Sequence, residues 1–300
     1  RGGVTSGEVT SFSVDELTTL IEATPLNASA IGHFSDGEIT LQDLQLATAG
    51  NRLTLSGRSG EALQLNFDLE VSDWSEFLPG ARGELSARGS VAGNAHAPTA
   101  NVSVSAAGLG YAGYGLDALA VDLILEPTQD TDQIAATFTA LDVTLPNAEL
   151  GPIDISGKAE GTLGSHVASI VVVSPIAQAE ATFNGGFIAE DFAQAANSLL
   201  QPAGSSLLSE GNGSLTTARI SYEPADLVLV QETAAPLVIQ SAERSLNNSC
   251  WRLDTARACL DLTASSNALD ASLAINDLTW ETLVRIPEVA ALSAGLEADS

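Results

Sequence analysis

The sequence is poor in the residues that build thick cores and catalytic sites. Methionine is absent, aromatic residues make up 5% of the 300 residues, and there are three histidines and two cysteines. The apolar content, 45%, therefore consists mainly of Ala, Leu, Val and Ile. Small and branched aliphatic side chains of this kind favour β-structure over the core of a conventional enzyme.

Basic residues are also scarce. The chain carries 11 Lys and Arg against 38 Asp and Glu, which gives a net charge of −27. Such acidity argues against nucleic acid as a partner and disfavours an anionic membrane surface. The most apolar run, near residues 167–177, is well short of the roughly 20 residues that span a bilayer. With Arg1 first and no methionine, we expect residues 1–300 to be a fragment of a longer protein.

Alternating apolar and polar residues dominate what is present, and they predict strands. The clearest run is Leu63 to Val71, and similar runs recur from Leu119 to Leu125 and from Leu269 to Ile275. Turn signals such as Gly50-Asn51 and Ser59-Gly60 separate the runs. The pattern predicts an all-β protein with mainly antiparallel or mixed strands.

Two longer stretches show helical rather than alternating spacing. Residues 11–26 place four apolar side chains at helical intervals after Ser13, a residue type that caps helices, so we predict a helix there. Residues 190–204 form a second amphipathic pattern, and Pro202 and Gly204 are expected to end it. We interpret this second stretch as a helical insertion whose apolar face, including Phe192, packs on an edge of the sheet or forms a lid.

Residues 69–87 and residues 275–298 share a similar sequence pattern although they are far apart in the chain. Both read as a strand, a tryptophan, one helical turn, a proline and a glycine that opens the next strand. The order indicates a long-period repeat, with junctions near 73–81 and 280–287. Coincidence between two strand-to-turn junctions is the alternative.

The two cysteines lie near the ends of two short runs that flank a turn. Both are expected on the same polar face, because the apolar residues around them have the opposite parity. A turn at Asp254-Thr255 would place Cys250 opposite Cys259, with Cβ atoms roughly 4.5–5.5 Å apart, close enough for a disulfide. A disulfide implies an oxidising compartment, and two free thiols in a reducing compartment are the alternative. No second Cys/His pair exists to complete a zinc site.

The inventory of catalytic residues argues against an enzyme and predicts no cofactor. His33, His96 and His166 lie in separate segments without ligand spacing, and His166 is interpreted as structural. The sequence contains no nucleophile elbow, phosphate-binding loop or zinc-protease motif. The aspartates are scattered through turns, so no carboxylate pair can be assigned, and calcium binding in such turns is the alternative.

Several motifs in order resemble the repetitive central part of the TamB family, translocation and assembly module proteins of Gram-negative envelopes. The resemblance covers most of residues 30–300 and extends to AsmA-like and bridge-like lipid-transfer proteins. The stretches that carry it are Arg82-Gly83-Glu84-Leu85, Val91-Ala92-Gly93, Ala97-Pro98, Leu109-Gly110-Tyr111, Gly161-Thr162-Leu163, Cys250-Trp251, Cys259-Leu260, Trp280, Pro287 and Gly295-Leu296.

This resemblance implies a long curved sheet that forms an open, taco-shaped trough. The implied function is to span the periplasm and to conduct phospholipid acyl chains between the inner and outer membranes, to support outer-membrane protein assembly, or both. The implied partner is a TamA-like outer-membrane barrel, reached through a C-terminal domain that is missing here. The implied location is the periplasm, with an inner-membrane anchor in a missing N-terminal segment.

The residues alone leave open whether the apolar faces line an open groove or close into a dry core, and the resemblance favours the groove. A structural β-solenoid of the adhesin or passenger type is the second functional class, although irregular strand lengths count against its short repeat. The residues predicted to line the groove are Leu63, Leu65, Phe67, Leu69, Leu119, Val121, Leu123, Leu125, Leu269, Leu273 and Ile275.

Overall fold

In the computed structural model the chain forms two compact units, each made of antiparallel β-strands. Unit 1 contains the strands up to residue 148, and unit 2 contains those from residue 149 onward. The structure describes residues 2–5, 9–21, 24–60, 63–94, 97–127, 132–146, 151–162, 164–187, 211–240, 243–265 and 268–285.

In its described residues, unit 1 is a meander of ten strands. The strands are β1 (Gly2–Thr5), β2 (Thr10–Ile21), β3 (Thr24–Ser35), β4 (Glu38–Ala47), β5 (Asn51–Ser59), β6 (Leu63–Val71), β7 (Arg82–Asn94), β8 (Ala97–Tyr111), β9 (Tyr114–Pro127) and β10 (Asp132–Val143). Each strand pairs with the next one in the sequence.

Among its described residues, unit 2 contains nine strands, one short α-helix and a 3-10 helix at Glu223–Ala225. They are β11 (Ile153–Thr162), β12 (His166–Val173), β13 (Ala177–Phe187), β14 (Gly211–Tyr222), β15 (Leu227–Gln231), β16 (Ala235–Ile239), β17 (Glu243–Leu253), β18 (Ala256–Ser265), β19 (Leu269–Asn276) and helix α1 (Trp280–Leu283). Here β15 and β16 lie end to end between β14 and β17 and pair with both.

Every strand pairing given for the described residues is antiparallel, so the all-β, antiparallel class expected from the sequence is confirmed. Within each unit the most extensive contacts join strands that are paired by hydrogen bonds. In strand β6 the half-buried apolar side chains from Leu63 to Leu69 alternate with exposed polar ones, and Val71 is buried.

The helix predicted for residues 11–26 is wrong, since β2 and β3 occupy this region. A β-bulge explains the error. Val14 pairs with Ala30 and Leu17 with Ala28, so β2 carries one extra residue between two neighbouring rungs. The extra residue returns both apolar side chains to the same face of the sheet, which produces a three-residue spacing in an extended strand.

A bulge also occurs in strand β17, just before the cysteine hairpin. Leu246 pairs with Leu262 and Ser249 with Leu260, so β17 has an extra residue there. Asn248 adopts a left-handed conformation with φ of 53°, and its backbone N–H donates to Asp261 Oδ1 at 2.6 Å. The side-chain acceptor thus replaces the ladder bond that the bulge removes.

The break between β15 and β16 is bridged by a side chain. Gln231 is 9% exposed, and its Nε2 donates to the carbonyls of Leu215 and Thr233, both at 2.9 Å. The backbone N–H of Glu232 donates to Cys250 O at 2.9 Å. These bonds keep β14 and β17 in register across residues 232–234, where the strand is interrupted.

The two stretches with similar sequence patterns, residues 69–87 and 275–298, each contain a short helical turn. Trp74–Glu76 is a 3-10 helix between β6 and β7, and Asp73 Oδ1 accepts from Ser75 N at 2.9 Å as its cap. After β19, Thr279 Oγ1 caps α1 by accepting from Thr282 N at 3.3 Å. The repeat itself stays a prediction. The helical insertion predicted for 190–204, with Phe192, lies outside the described residues.

Candidate functional site

The most extensive feature of unit 1 is an apolar face that runs across β4 to β10. Directly paired residues lie on the same side of an antiparallel sheet, so the registers define rows of side chains across the strands. One row joins Leu46, Leu53, Leu69, Ala87, Val104, Val121 and Phe138. The next row joins Leu44, Leu55, Phe67, Gly89, Val102, Leu123 and Ala136. We call this surface the apolar face of unit 1.

The other side of the same strands is polar. One of its rows joins Thr54, Asp68, Arg88, Ser103, Asp122 and Thr137. Ser86 and Ser105 share a hydrogen bond of 2.7 Å, and Arg52 pairs with Glu70 at 2.8 Å. Unit 1 is therefore a strongly amphipathic sheet whose polar side carries exposed hydrogen-bonded and ion-paired side chains.

The apolar face is only partly shielded from solvent. Every residue of the row from Leu46 to Phe138 is half-buried, whereas a face covered by a second sheet would bury its side chains throughout. Seven neighbouring strands extend over about 29 Å at a spacing of about 4.8 Å. An apolar surface of this width is rare on a soluble protein unless it receives a ligand or partner.

Glycine and phenylalanine fit together on this face. A Cβ on Gly89 would lie 2.9 Å from ring atoms of Phe67, so the ring lies across the glycine of the neighbouring strand. The Phe12 ring covers Gly32 in the same way. Aromatic rings that cover strand glycines restore apolar contact where the glycine offers no side chain.

Eight of the predicted groove residues lie together on the apolar face of unit 1. Leu63, Leu65, Phe67 and Leu69 line β6, and the registers of β7 and β8 place Leu119, Val121, Leu123 and Leu125 on the same side in β9. Leu125 is buried at 2% exposure, and the other seven are half-buried. Whether this surface binds lipid stays a prediction.

The remaining three predicted groove residues belong to unit 2. Leu269, Leu273 and Ile275 lie on one side of β19 and are 68%, 62% and 49% exposed. They pair with Ala264, Leu260 and Ala258 of β18, and they are exposed because the described residues place a partner strand on only one side of β19.

Unit 2 has an apolar face of its own. One row joins Ile155, Val172, Ala179, Ile220, Leu229 and Leu253, and a second contains Gly161, His166, Gly185, Gly213, Leu237, Leu246 and Leu262. The Phe183 ring covers both Gly185 and Gly213. His166 is 8% exposed, with Nδ1 3.2 Å from Thr162 O and its ring centroid 6.0 Å from that of Phe183. The histidine is thus packed within this face.

The two cysteines of the β17–β18 hairpin are cross-linked. Its turn lies at Asp254 and Thr255, and Cys250 and Cys259 are directly paired and joined by a disulfide. Trp251 and Leu253 lie on the apolar side of β17 and both cysteines on the opposite side. The cross-link lies next to the break between β15 and β16, because Trp251 pairs with Gln231.

The structure adds apolar residues to the predicted site. Leu44, Leu46, Leu53 and Leu55 extend it across β4 and β5, and Phe138 extends it to β10. Their signal in the sequence is the same alternation, in shorter runs. The bulge between Leu41 and Leu44 interrupts the period of two and hides the continuity of the β4 run.

Within the parts of the chain that the structure describes, no helix is long and apolar enough to cross a bilayer. No curated protein and no solved structure matches the chain. The family model described as "TamB, N-terminal domain" matches residues 10–299. Since this match spans nearly the whole sequence and agrees with the all-β antiparallel sheets, the chain belongs to the TamB family.

Proposed function

We propose that the apolar face of unit 1 binds phospholipid acyl chains and conducts them between the inner and outer membranes. The observation that carries the proposal is the set of unbroken apolar rows across seven strands, in which the row from Leu46 to Phe138 is half-buried throughout. Each CH₂ group transferred from water to such a surface gains about 0.8 kcal/mol.

The chemistry of the face suits chains rather than headgroups. Its rows consist of Leu, Val, Ala, Gly and Phe, which provide no hydrogen-bond donor or charge for selective recognition. Binding therefore scales with buried apolar area. A surface of this kind suits movement along the sheet, because neighbouring positions have nearly equal affinity. We further propose that the chain acts by binding rather than by catalysis.

Membership of the TamB family supports a place in envelope biogenesis. We place the chain in the periplasm, where the Cys250–Cys259 disulfide is stable because the compartment is oxidising. We further propose that the protein is anchored at the inner membrane, that a TamA-like outer-membrane barrel is its partner, and that it supports outer-membrane protein assembly. A parallel β-solenoid of the adhesin type fits less well, because the described strands pair in antiparallel fashion.

The test is the lipid content of the purified chain, measured by native mass spectrometry and by extraction of co-purified lipid. We expect several phospholipids per chain in the wild type and a large loss in Phe67→Asp, which puts a charge on the apolar face. Asn66→Asp is the matched control, since it adds the same charge one residue away on the polar face. Lipid-free wild-type protein with no uptake from liposomes would refute the proposal.

A further inference from the structure

The connection between β6 and β7 lies against one end of the apolar face of unit 1. We call residues 72–81, which form this connection, the Trp74 turn. Three polar side chains mark this end of the face, because Thr24, Thr48 and Asn51 have the same parity as the apolar residues of β3, β4 and β5. All three are hydrogen-bonded to residues 73–76. The turn therefore packs on the apolar side of the sheet and not on the polar side.

Glu76 makes most of the contacts that hold the turn in place. Its carboxylate accepts hydrogen bonds from Thr48 Oγ1, from Gly50 N at 3.1 Å and from Asn51 Nδ2 at 2.6 Å. Its backbone carbonyl accepts from Thr24 Oγ1 at 3.2 Å. Hydrogen bonds to a carboxylate are roughly twice as strong as those between neutral groups. Glu76 thus fastens the turn across the ends of β5, β4 and β3.

The face is covered where the turn crosses it. Asn51 is 8% exposed, its Nδ2 also donates to Asp73 O at 3.0 Å, and its Oδ1 accepts from Asp73 N at 3.2 Å. Val71, which pairs with Asn51, is 7% exposed. A Cβ on Gly50 would lie 2.6 Å from Asp73 Cβ, so the two segments are in direct contact. This end of the apolar face is closed by the protein itself.

The opposite end of the face is open at β3 and β4. Phe34 and Ile39 are paired there and lie on the apolar side, since Phe34 has the parity of Gly32 and Ile39 that of Leu41. They are 47% and 49% exposed. The open part is confined to these strands, because Leu125 of β9 is buried. The two ends of the face therefore differ strongly in their access to solvent.

Unit 2 has a turn of similar construction after β19. Arg285 Nε donates to Ala225 O at 3.2 Å, and the guanidinium also donates to Asp226 O and, at 2.5 Å, to Asp254 Oδ2. These bonds reach back past the β17–β18 hairpin to the β14–β15 connection. Thr282 and Ala225 are 5% and 6% exposed. The same kind of attachment is thus made by a glutamate in one unit and by an arginine in the other.

We propose that the Trp74 turn gives the lipid-binding face of unit 1 a closed and an open end, so that phospholipids enter and leave over Phe34 and Ile39. This inference rests on the proposed function and adds an orientation to the bound lipid. A headgroup stays in water, because burying its charges without partners costs more than acyl burial returns. At the closed end the turn occupies the space that a headgroup would need. The acyl chains therefore point toward the turn and the headgroups lie along the open end.

Paramagnetic broadening of backbone amide resonances measures this orientation in the whole chain. The probes are two phosphatidylcholines that carry a nitroxide either on the headgroup or at the end of an acyl chain. We expect the headgroup label to cause a loss of signal at Phe34 and Ile39 and to spare Asn51 and Val71. The acyl-end label should give the reverse order.

The outcomes separate this inference from the proposed function. A headgroup label that broadens Val71 as strongly as Ile39 would overturn the orientation and leave lipid binding intact. If neither label broadened any amide of the apolar face, both the orientation and the proposed lipid binding would be refuted.

Glu76→Ala tests the role of the turn, because it removes the acceptor shared by Thr48, Gly50 and Asn51. We expect the headgroup label then to broaden Val71 as well, so that the difference between the ends is lost. Glu84→Ala is the matched control, since Glu84 is exposed on the polar side of β7, and it should keep the wild-type pattern. A wild-type pattern in Glu76→Ala would overturn the role of the turn. If that variant does not fold, the two labels on the wild type decide the orientation.

Discussion

Units 1 and 2 share an amphipathic antiparallel sheet but keep their strands in register by different means. In unit 1 each of the ten described strands pairs with the next one in the sequence, so every position inside the sheet is occupied by a single continuous strand. In unit 2 one position is divided between β15 and β16. The disulfide, the buried Gln231 and the bulge at Asn248 all lie within the strands around that break.

This difference shows where a regular alternation of apolar and polar residues is enough to fix the register of the strands. Register is set wherever one face is buried, because a one-residue shift would move every apolar side chain to the wrong side. Unit 1 relies on that effect over many strands. Unit 2 interrupts the ladder, and local cross-links replace the hydrogen bonds that the interruption removes.

The largest effect is expected from removing the disulfide. Replacing both Cys250 and Cys259 by serine frees a loop with a sequence separation of nine residues, which costs about 2–3 kcal/mol on the chain-entropy account. Amide hydrogen exchange in β17 and β18 should accelerate roughly 30- to 150-fold. Amides of β6 to β8 should keep their protection, and an equal loss in both units would remove the contrast between them.

The next effect concerns the break itself. Gln231→Ala leaves the carbonyls of Leu215 and Thr233 without their side-chain donor, and we expect a loss of about 1–3 kcal/mol. Hydrogen exchange of the β14 and β15 amides measures the loss. Gln64→Ala in unit 1 removes an exposed glutamine and should change little. If the two substitutions had similar effects, Gln231 would not bridge the break.

Phenylalanine truncation compares the two apolar faces. Phe67 covers one glycine in unit 1, and Phe183 covers two in unit 2. Both rings are half-buried, so each change to alanine should cost about 1–2 kcal/mol, less than for a fully buried ring. Phe183→Ala should be the more damaging in urea unfolding monitored by circular dichroism. The reverse order would indicate that glycine coverage does not determine the cost.

Surface ion pairs should matter least. Arg52 and Glu70 on the polar face of unit 1 are 58% and 54% exposed, and exposed pairs contribute about 0.2–1 kcal/mol. Glu70→Gln should therefore leave the unfolding midpoint nearly unchanged. Asp254→Asn in unit 2 should also be mild, since Arg285 still donates to the carbonyls of Ala225 and Asp226. A large, salt-sensitive loss in either variant would show that the pair contributes more than its exposure predicts.

The sequence predicts the strands well where alternation is uninterrupted. The run from Leu63 to Val71 matches β6, and the turn at Asp254-Thr255 matches the β17–β18 hairpin. It fails where a bulge changes the period: Val14 and Leu17 read as helical because their three-residue spacing is typical of a helix. Bulges depend on the neighbouring strand, which periodicity within one strand does not reveal.

Other features depend on which strands meet. The sequence shows Leu227 and Leu237 as parts of one alternating region, whereas the structure divides them between β15 and β16 because Glu232–Ala234 leave the ladder.

The most direct test of lipid binding on the apolar face is photo-crosslinking in cells at neighbouring positions of one strand. A benzophenone side chain at Leu123 should give adducts with the mass of phospholipids, because this residue lies on the apolar face of unit 1. The same group at Asp122 lies on the polar face and should give none. Phospholipid adducts at Leu123 alone are the predicted result. Adducts at both positions, or only crosslinks within the chain at Leu123, would contradict the account.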